Sequence, residues 1–221
     1  MIPNRILIQF TGAQGTGKTT LVRALKEKLM ADQFYIPETI EKSGETYTYE
    51  YGTFPLLDIP IIGEVSRSLL DKQIISKIDT NATAVEQMYI NAELMERYFK
   101  ILGMGYNLIL AERTPICCMG YAANIPGIDE YTYKFTQRFI HDIQDRKDIN
   151  ILTFYVAPLE TFEEDGVRTY ASQAKVDGTI RAVLEDYQIP YTLIPPKSLD
   201  ERLDLVIDVI KIFAKEHRYG R

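Results

Sequence analysis

Between Gly12 and Thr19 the chain reads Gly-Ala-Gln-Gly-Thr-Gly-Lys-Thr, directly after the apolar run Ile6–Phe10 and before a helical pattern. Glycines at these places permit positive φ and let successive backbone N–H groups close around an oxyanion. A helix that follows would aim its positive end at the same point. Lys18 adds a cation for terminal phosphates, and the Thr19 hydroxyl suits Mg²⁺. The bland alternative is a tight strand-to-helix turn. A match to G-x-x-x-x-G-K-[ST] arises by composition in roughly 1 chain of this size in 100, and here the flanking strand and helix patterns are also in place. Gly12, Gln14, Gly15, Thr16, Gly17, Lys18, Thr19 and Thr20 are therefore the expected triphosphate-binding residues, with ATP as the donor.

Three further stretches bear on what happens to the phosphate. Glu112 and Arg113 end the apolar run Asn107–Ala111. At the carboxyl end of a parallel strand, an acid can orient Mg²⁺-bound water and an arginine can hold a phosphate or clamp a substrate. The alternative is a surface ion pair at a helix start, with Pro115 opening the helix. Glu64 follows Pro60–Gly63, with Arg67 a turn later. A carboxylate there can accept a proton from an acceptor hydroxyl, or simply satisfy a helix N-terminus. Arg168 lies in the polar, glycine-bearing run Glu160–Lys175, which would serve as a lid that excludes water and delivers an arginine, or else as a solvated loop. The expected catalytic set is Lys18, Glu64, Arg113 and Arg168. Glu64, Arg67 and Arg113 are expected at the acceptor, and Thr19 and Glu112 at the metal.

The elements that must position these groups follow from periodicity. Arg5–Phe10, Pro60–Val65, Asn107–Glu112, Asn150–Val156 and Pro190–Pro195 read as strands. Helical patterns separate them: Lys18–Ala31, Ser66–Ile78, Thr83–Leu102, Tyr131–Arg146, Val176–Gln188 and Leu199–His217. Within Thr83–Leu102 the residues Val85, Met88, Tyr89, Ala92, Met95, Tyr98 or Phe99, and Leu102 form the expected core stripe, with Asn81 or Thr83 as cap and Gly103 as stop. Strands alternating with helices imply βαβ units and a mostly parallel five-stranded sheet covered on both faces. The expectation is one α/β domain over residues 1–221, an insertion at 36–59 after the first helix, and a lid at 158–175. Tyr47, Tyr49 and Tyr51 in the insertion either pack a hairpin or stack on a base.

Bulk properties exclude several classes. A net charge of −6 argues against a broad basic face for duplex nucleic acid. Cys117 and Cys118 are neighbours and form neither a disulfide framework nor a metal spacing, so they read as packed thiols. There is no signal-peptide pattern and no apolar stretch of membrane-spanning length, which suggests a cytoplasmic protein.

Taken together, the glycine loop, the acid after the second strand, Glu112-Arg113 after the third and the arginine lid resemble the nucleoside and nucleotide kinases of the P-loop superfamily. LILAERTPICCMGYAA is similar to the corresponding stretch of thymidylate and deoxynucleoside kinases. GEVSR and DGVR look more like ribosylnicotinamide-kinase relatives. The resemblance runs from Arg5 to about Ile194 and implies a three-layer P-loop NTPase fold. It implies that Lys18 and Thr19 serve phosphate and Mg²⁺, Glu64 the acceptor hydroxyl, Glu112-Arg113 the metal water and phosphate, and Arg168 the lid. The segment Tyr35–Ile59 is longer than the link these kinases use, and the lid carries one arginine where many relatives carry several. The leading expectation is transfer of the ATP γ-phosphoryl group to a small nucleoside- or nucleotide-like acceptor. A modified base in DNA is the second acceptor class, and a nucleotide-hydrolysing switch is the reading from another class.

Overall fold

The structure, a computed structural model, describes residues 5–31, 38–42, 45–49, 59–159 and 169–218. Five strands form one parallel sheet: β1 (Ile6–Thr11), β4 (Ile61–Ile62), β5 (Leu108–Ala111), β6 (Asn150–Val156) and β7 (Thr192–Ile194), in the order β4-β5-β1-β6-β7. A separate antiparallel pair, β2 (Glu38–Lys42) and β3 (Glu45–Tyr49), falls within the anticipated insertion. Tyr51 lies outside the described residues.

Strand alternation sorts β1 between two cores. Leu7 joins the core beneath α3 (Ala84–Gly103) and α5 (Glu130–Gln144), while Ile8 and Phe10 join the opposite core with α1 (Lys18–Ala31) and α7 (Leu199–Arg218). A third cluster joins α4 (Pro115–Ala122), α5 and α6 (Tyr170–Asp186). This is the three-layer α/β arrangement the sequence implies, with buried apolar strands and helices on both faces. Among the described residues no helix is long and apolar enough to cross a membrane.

Several expected elements are corrected. The run Ser66–Ile78 is not one helix. Helix α2 covers only Ser66–Asp71, and Gln73 at φ 56° turns the chain out of helical geometry. Ile75 and Ile78 still reach the core from the connecting segment, which mimics helical spacing without a helix. The predicted stripe on α3 is rotated. Its buried residues are Gln87, Ile90, Asn91, Leu94, Tyr98 and Leu102, while Val85 and Tyr89 are exposed. Two polar residues hold the inner face because they satisfy one another: Gln87 Nε2 donates to Asn91 Oδ1 at 2.7 Å, and Asn91 Nδ2 to Thr136 Oγ1 at 2.6 Å. Gly103 belongs to α3. The helix ends at Met104, with Gly105 at φ 75° just beyond. Tyr170–Lys175, anticipated in the lid, form the opening turns of α6, begun by a capping box at Thr169 and Ser172.

Candidate active site

Three strand ends meet at the glycine loop because β5 lies between β1 and β4. Gly12, Gly15 and Gly17 have φ of 149°, 70° and 77°, conformations open to glycine. At Gly12 a β-carbon would stand 2.5 Å from the Val156 carbonyl oxygen, so the loop can leave β1 there only without a side chain. Lys18 Nζ donates to Gly12 O at 2.8 Å, to Ala13 O and to Thr16 Oγ1 at 3.1 Å. Burial pulls the Lys18 ammonium down to about 8.

Thr19 Oγ1 donates to Glu112 Oε1 across the mouth of the loop. Two hard oxygen donors facing one another suit a divalent cation such as Mg²⁺. Next to Glu112, Arg113 Nη2 forms an ion pair with Glu64 Oε1 at 2.7 Å, and Ser66 Oγ donates to the same carboxylate oxygen at 2.8 Å. Burial works against the Arg113 charge, yet Glu64, Tyr121, Cys117 and Asp79 together outweigh it and the net shift is upward. Tyr98 OH donates to Arg113 O at 2.9 Å, fixing the backbone from α3.

A buried hydrogen-bond chain connects these groups to the loop. Arg113 Nη1 donates to Tyr121 OH at 3.1 Å, and Tyr121 OH donates to Gln14 Oε1 at 3.1 Å. Gln14 Nε2 in turn donates to Ser172 Oγ at 3.0 Å, and Gln173 Nε2 donates to Gln14 O at 2.7 Å. The N-terminus of α6 is thus tied through Gln14 to the carboxylate at β4.

Cys117 is a buried free thiol, as expected, and it packs at the glycine loop. Its sulfur lies 3.4 Å from Thr11 Oγ1 and 3.7 Å from Gly12 O, against the base of the loop. Burial pushes this thiol up, but the Lys18 and Arg113 cations and the two threonine hydroxyls outweigh it, and the net shift is downward. For Cys118, burial prevails and raises the thiol to about 12. A cavity of about 20 Å³, room for about one water, has Ser66, Asp79, Gln87, Arg113 and Tyr121 in its wall.

The structure therefore gathers Lys18, Thr19, Glu64, Glu112 and Arg113 in one place. Gln14 is buried with its side chain turned to α6 and Tyr121, Thr20 is exposed on α1, and Arg67 is exposed at the start of α2. Arg168 lies outside the described residues. Sequence reasoning missed Tyr121, which comes seven residues after the helix cap Thr114 and so returns to the same face of α4 two turns on.

The AAA domain family profile matches residues 7–202. The chain belongs to the AAA domain family. No curated protein matches it. Among solved structures, this AAA domain is similar to the NadR protein in complex with NAD and AMP-PNP, with a TM-score of 0.64 and 14% identity. That alignment covers 96% of the chain but 50% of NadR, so the chain spans half of that protein's length. A thymidylate kinase from Ehrlichia chaffeensis gives a TM-score of 0.59 at 16% identity, covering 94% of this chain and 100% of that one. A deoxyadenosine kinase from M. mycoides gives 0.56 at 12% identity, covering 93% and 99%. These are the groups the motifs pointed to, and at such identities they establish a shared P-loop kinase-like fold for this AAA domain.

Proposed function

We propose that this AAA domain is a kinase that moves the γ-phosphoryl group of ATP to a hydroxyl or phosphate of a nucleoside- or nucleotide-like acceptor. One observation carries the reading: Glu112 touches Thr19 while its neighbour Arg113 pairs with Glu64. A metal-type oxygen pair and an acceptor-type carboxylate thus flank the same glycine loop.

The loop amides would hold the β and γ phosphates, and Lys18 would exchange its bonds to Gly12 and Ala13 carbonyls for a phosphate oxygen, a stronger acceptor for an ammonium. Thr19 and Glu112 would hold Mg²⁺, which when bound neutralises charge on the phosphate oxygens. Glu64 would take up the proton of an acceptor hydroxyl while Arg113 fixes its orientation. Arg168, in a proposed lid that precedes α6, would meet the transferring group. Positioning and electrostatics supply most of the rate effect in such a transfer, so little covalent work falls to the protein.

The NadR structure holds NAD and AMP-PNP, and the deoxyadenosine kinase structure holds dCMP and dCDP as products, which supports a nucleoside-like acceptor class for this chain. The test is a panel of nucleosides, nucleotides and modified-base DNA incubated with γ-labelled ATP and Mg²⁺. Label on a nucleoside or nucleotide supports the reading. Label on DNA alone moves the acceptor to a base in a polymer, and release of phosphate with no labelled acceptor overturns the kinase.

A further inference from the structure

Arg202 stands in the first turn of α7 and is only 6% exposed. Its Nη1 donates to Thr16 O at 3.0 Å. Nη1 and Nη2 lie 3.1 and 3.3 Å from the point where a β-carbon on Gly17 would stand. The guanidinium is therefore pressed against the loop backbone where it turns into α1, at a residue whose φ of 77° favours glycine. Among the described residues Nε is buried without a hydrogen-bond partner. Burial pulls the guanidinium down, and no described carboxylate counters it.

This cation is costly in three ways. It is desolvated, no described carboxylate balances it, and it sits at the end of α7 where the helix dipole is already positive. It also lies beside Gly17, directly before the positive N-terminus of α1. Positive features thus converge behind one short loop, and the loop itself is shaped to hold an anion.

We propose that Arg202 is a positioning residue of the phosphate cradle, holding the Thr16–Gly17 peptide in place and having its charge balanced by the bound triphosphate. The inference rests on the cradle reading above and extends it to a residue outside the motif. Folding alone gains little from the cation, whereas triphosphate binding gains a fixed loop and an extra positive charge.

The test is calorimetric binding of Mg²⁺·AMP-PNP to the full chain and to Arg202→Met and Arg202→Lys. Methionine keeps the volume and loses the charge, and affinity is expected to fall at least 10-fold. Lysine keeps the charge and one donor for Thr16 O, and affinity is expected to stay within about 3-fold of the unaltered chain. If Arg202→Met fails to fold, Arg202→Gln replaces it, neutral but still able to donate to Thr16 O, with the same loss expected. A neutral variant that binds as tightly as the unaltered chain overturns the inference and leaves the cradle intact. An unaltered chain that does not bind overturns the cradle reading and this inference with it.

Discussion

Tyr121 OH reaches Gln14 Oε1 at 3.1 Å, joining α4 to the glycine loop over 107 positions of sequence. The same hydroxyl accepts from Arg113 Nη1, and Arg113 holds Glu64. One phenol oxygen thus connects the phosphate-side loop to the acceptor-side carboxylate, and both of its bonds are buried, where an unmade bond is costly.

Tyr121→Phe removes that oxygen and nothing else. The expected outcome is a parental fold with a lower thermal midpoint, because Arg113 Nη1 and Gln14 Oε1 each lose a buried partner at about 1–3 kcal/mol, and turnover lower by on the order of 10-fold. Steady-state transfer from γ-labelled ATP, alongside circular dichroism, reads both. Unchanged turnover would show that Gln14 and Arg113 hold their places unaided.

Glu64→Gln keeps the shape of the acceptor-side group and cancels its basicity. Turnover is expected to fall about 100-fold, within the range for loss of a general base, while AMP-PNP affinity stays near the parental value. Equal turnover in the glutamine variant would remove Glu64 from proton transfer.

Thr19→Val is isosteric and deletes the hydroxyl that faces Glu112. In Mg²⁺, affinity for AMP-PNP is expected to drop about 10-fold, the scale of one lost charge-assisted contact. In EDTA, variant and parent should bind alike. A loss of the same size under both conditions would point to damaged loop packing instead of a missing metal ligand.

Glu86 provides the pH dependence. Its carboxylate accepts from the backbone N–H groups of Ser76, Lys77 and Thr83 and from the Ser76 and Thr83 hydroxyls, pinning the segment after α2 to the start of α3. Burial raises the group, but the donors on Thr83 and Ser76 outweigh it and bring it from 4.5 to about 2. A carboxylate lowered by folding stabilises the protein above its unfolded pKa, and that contribution is lost as pH falls through 4.5 toward 2. Discounted for solvent exposure, it is worth about 1 kcal/mol. Urea denaturation should show Glu86→Gln less stable than the parent by about this amount at pH 7, with the gap closing toward pH 2. A gap that is constant with pH would mean the loss is steric.

Gly120→Ala tests the seam between α4 and α6. A β-carbon there would stand 2.6 Å from Ile180 Cγ1, 3.1 Å from its Cδ1 and 3.4 Å from Val176 Cγ1. Alanine gains about 1 kcal/mol in helix propensity. Ile180 is fully buried, however, so the clash is expected to prevail with a net loss of about 1–3 kcal/mol. Adding Ile180→Val should not recover stability, because Cγ1 remains, whereas Ile180→Ala should show strong favourable coupling in a double-mutant cycle. Additive effects would mean the helices separate without cost.

The sequence by itself determined the glycine loop, the number and kind of sheet strands and the presence of Glu64, Glu112 and Arg113 at strand ends. It also gave Thr83 as a candidate cap for α3, and Thr83 is the cap. These are local properties: a turn that needs glycine, an apolar run of strand length, a hydroxyl three residues before a carboxylate. Only the tertiary structure decided that β5 lies between β1 and β4, and so set Glu64 within 2.7 Å of Arg113. The same is true of the polar face of α3, where Gln87 and Asn91 are buried because Thr136 arrives from α5 to satisfy them. Cys117 beneath the loop, Tyr121 between Gln14 and Arg113, and Arg202 behind Thr16 were equally hidden. Their partners lie 105, 107 and 186 positions away in the chain, and no periodicity or spacing reports a contact made only when strands and helices stack.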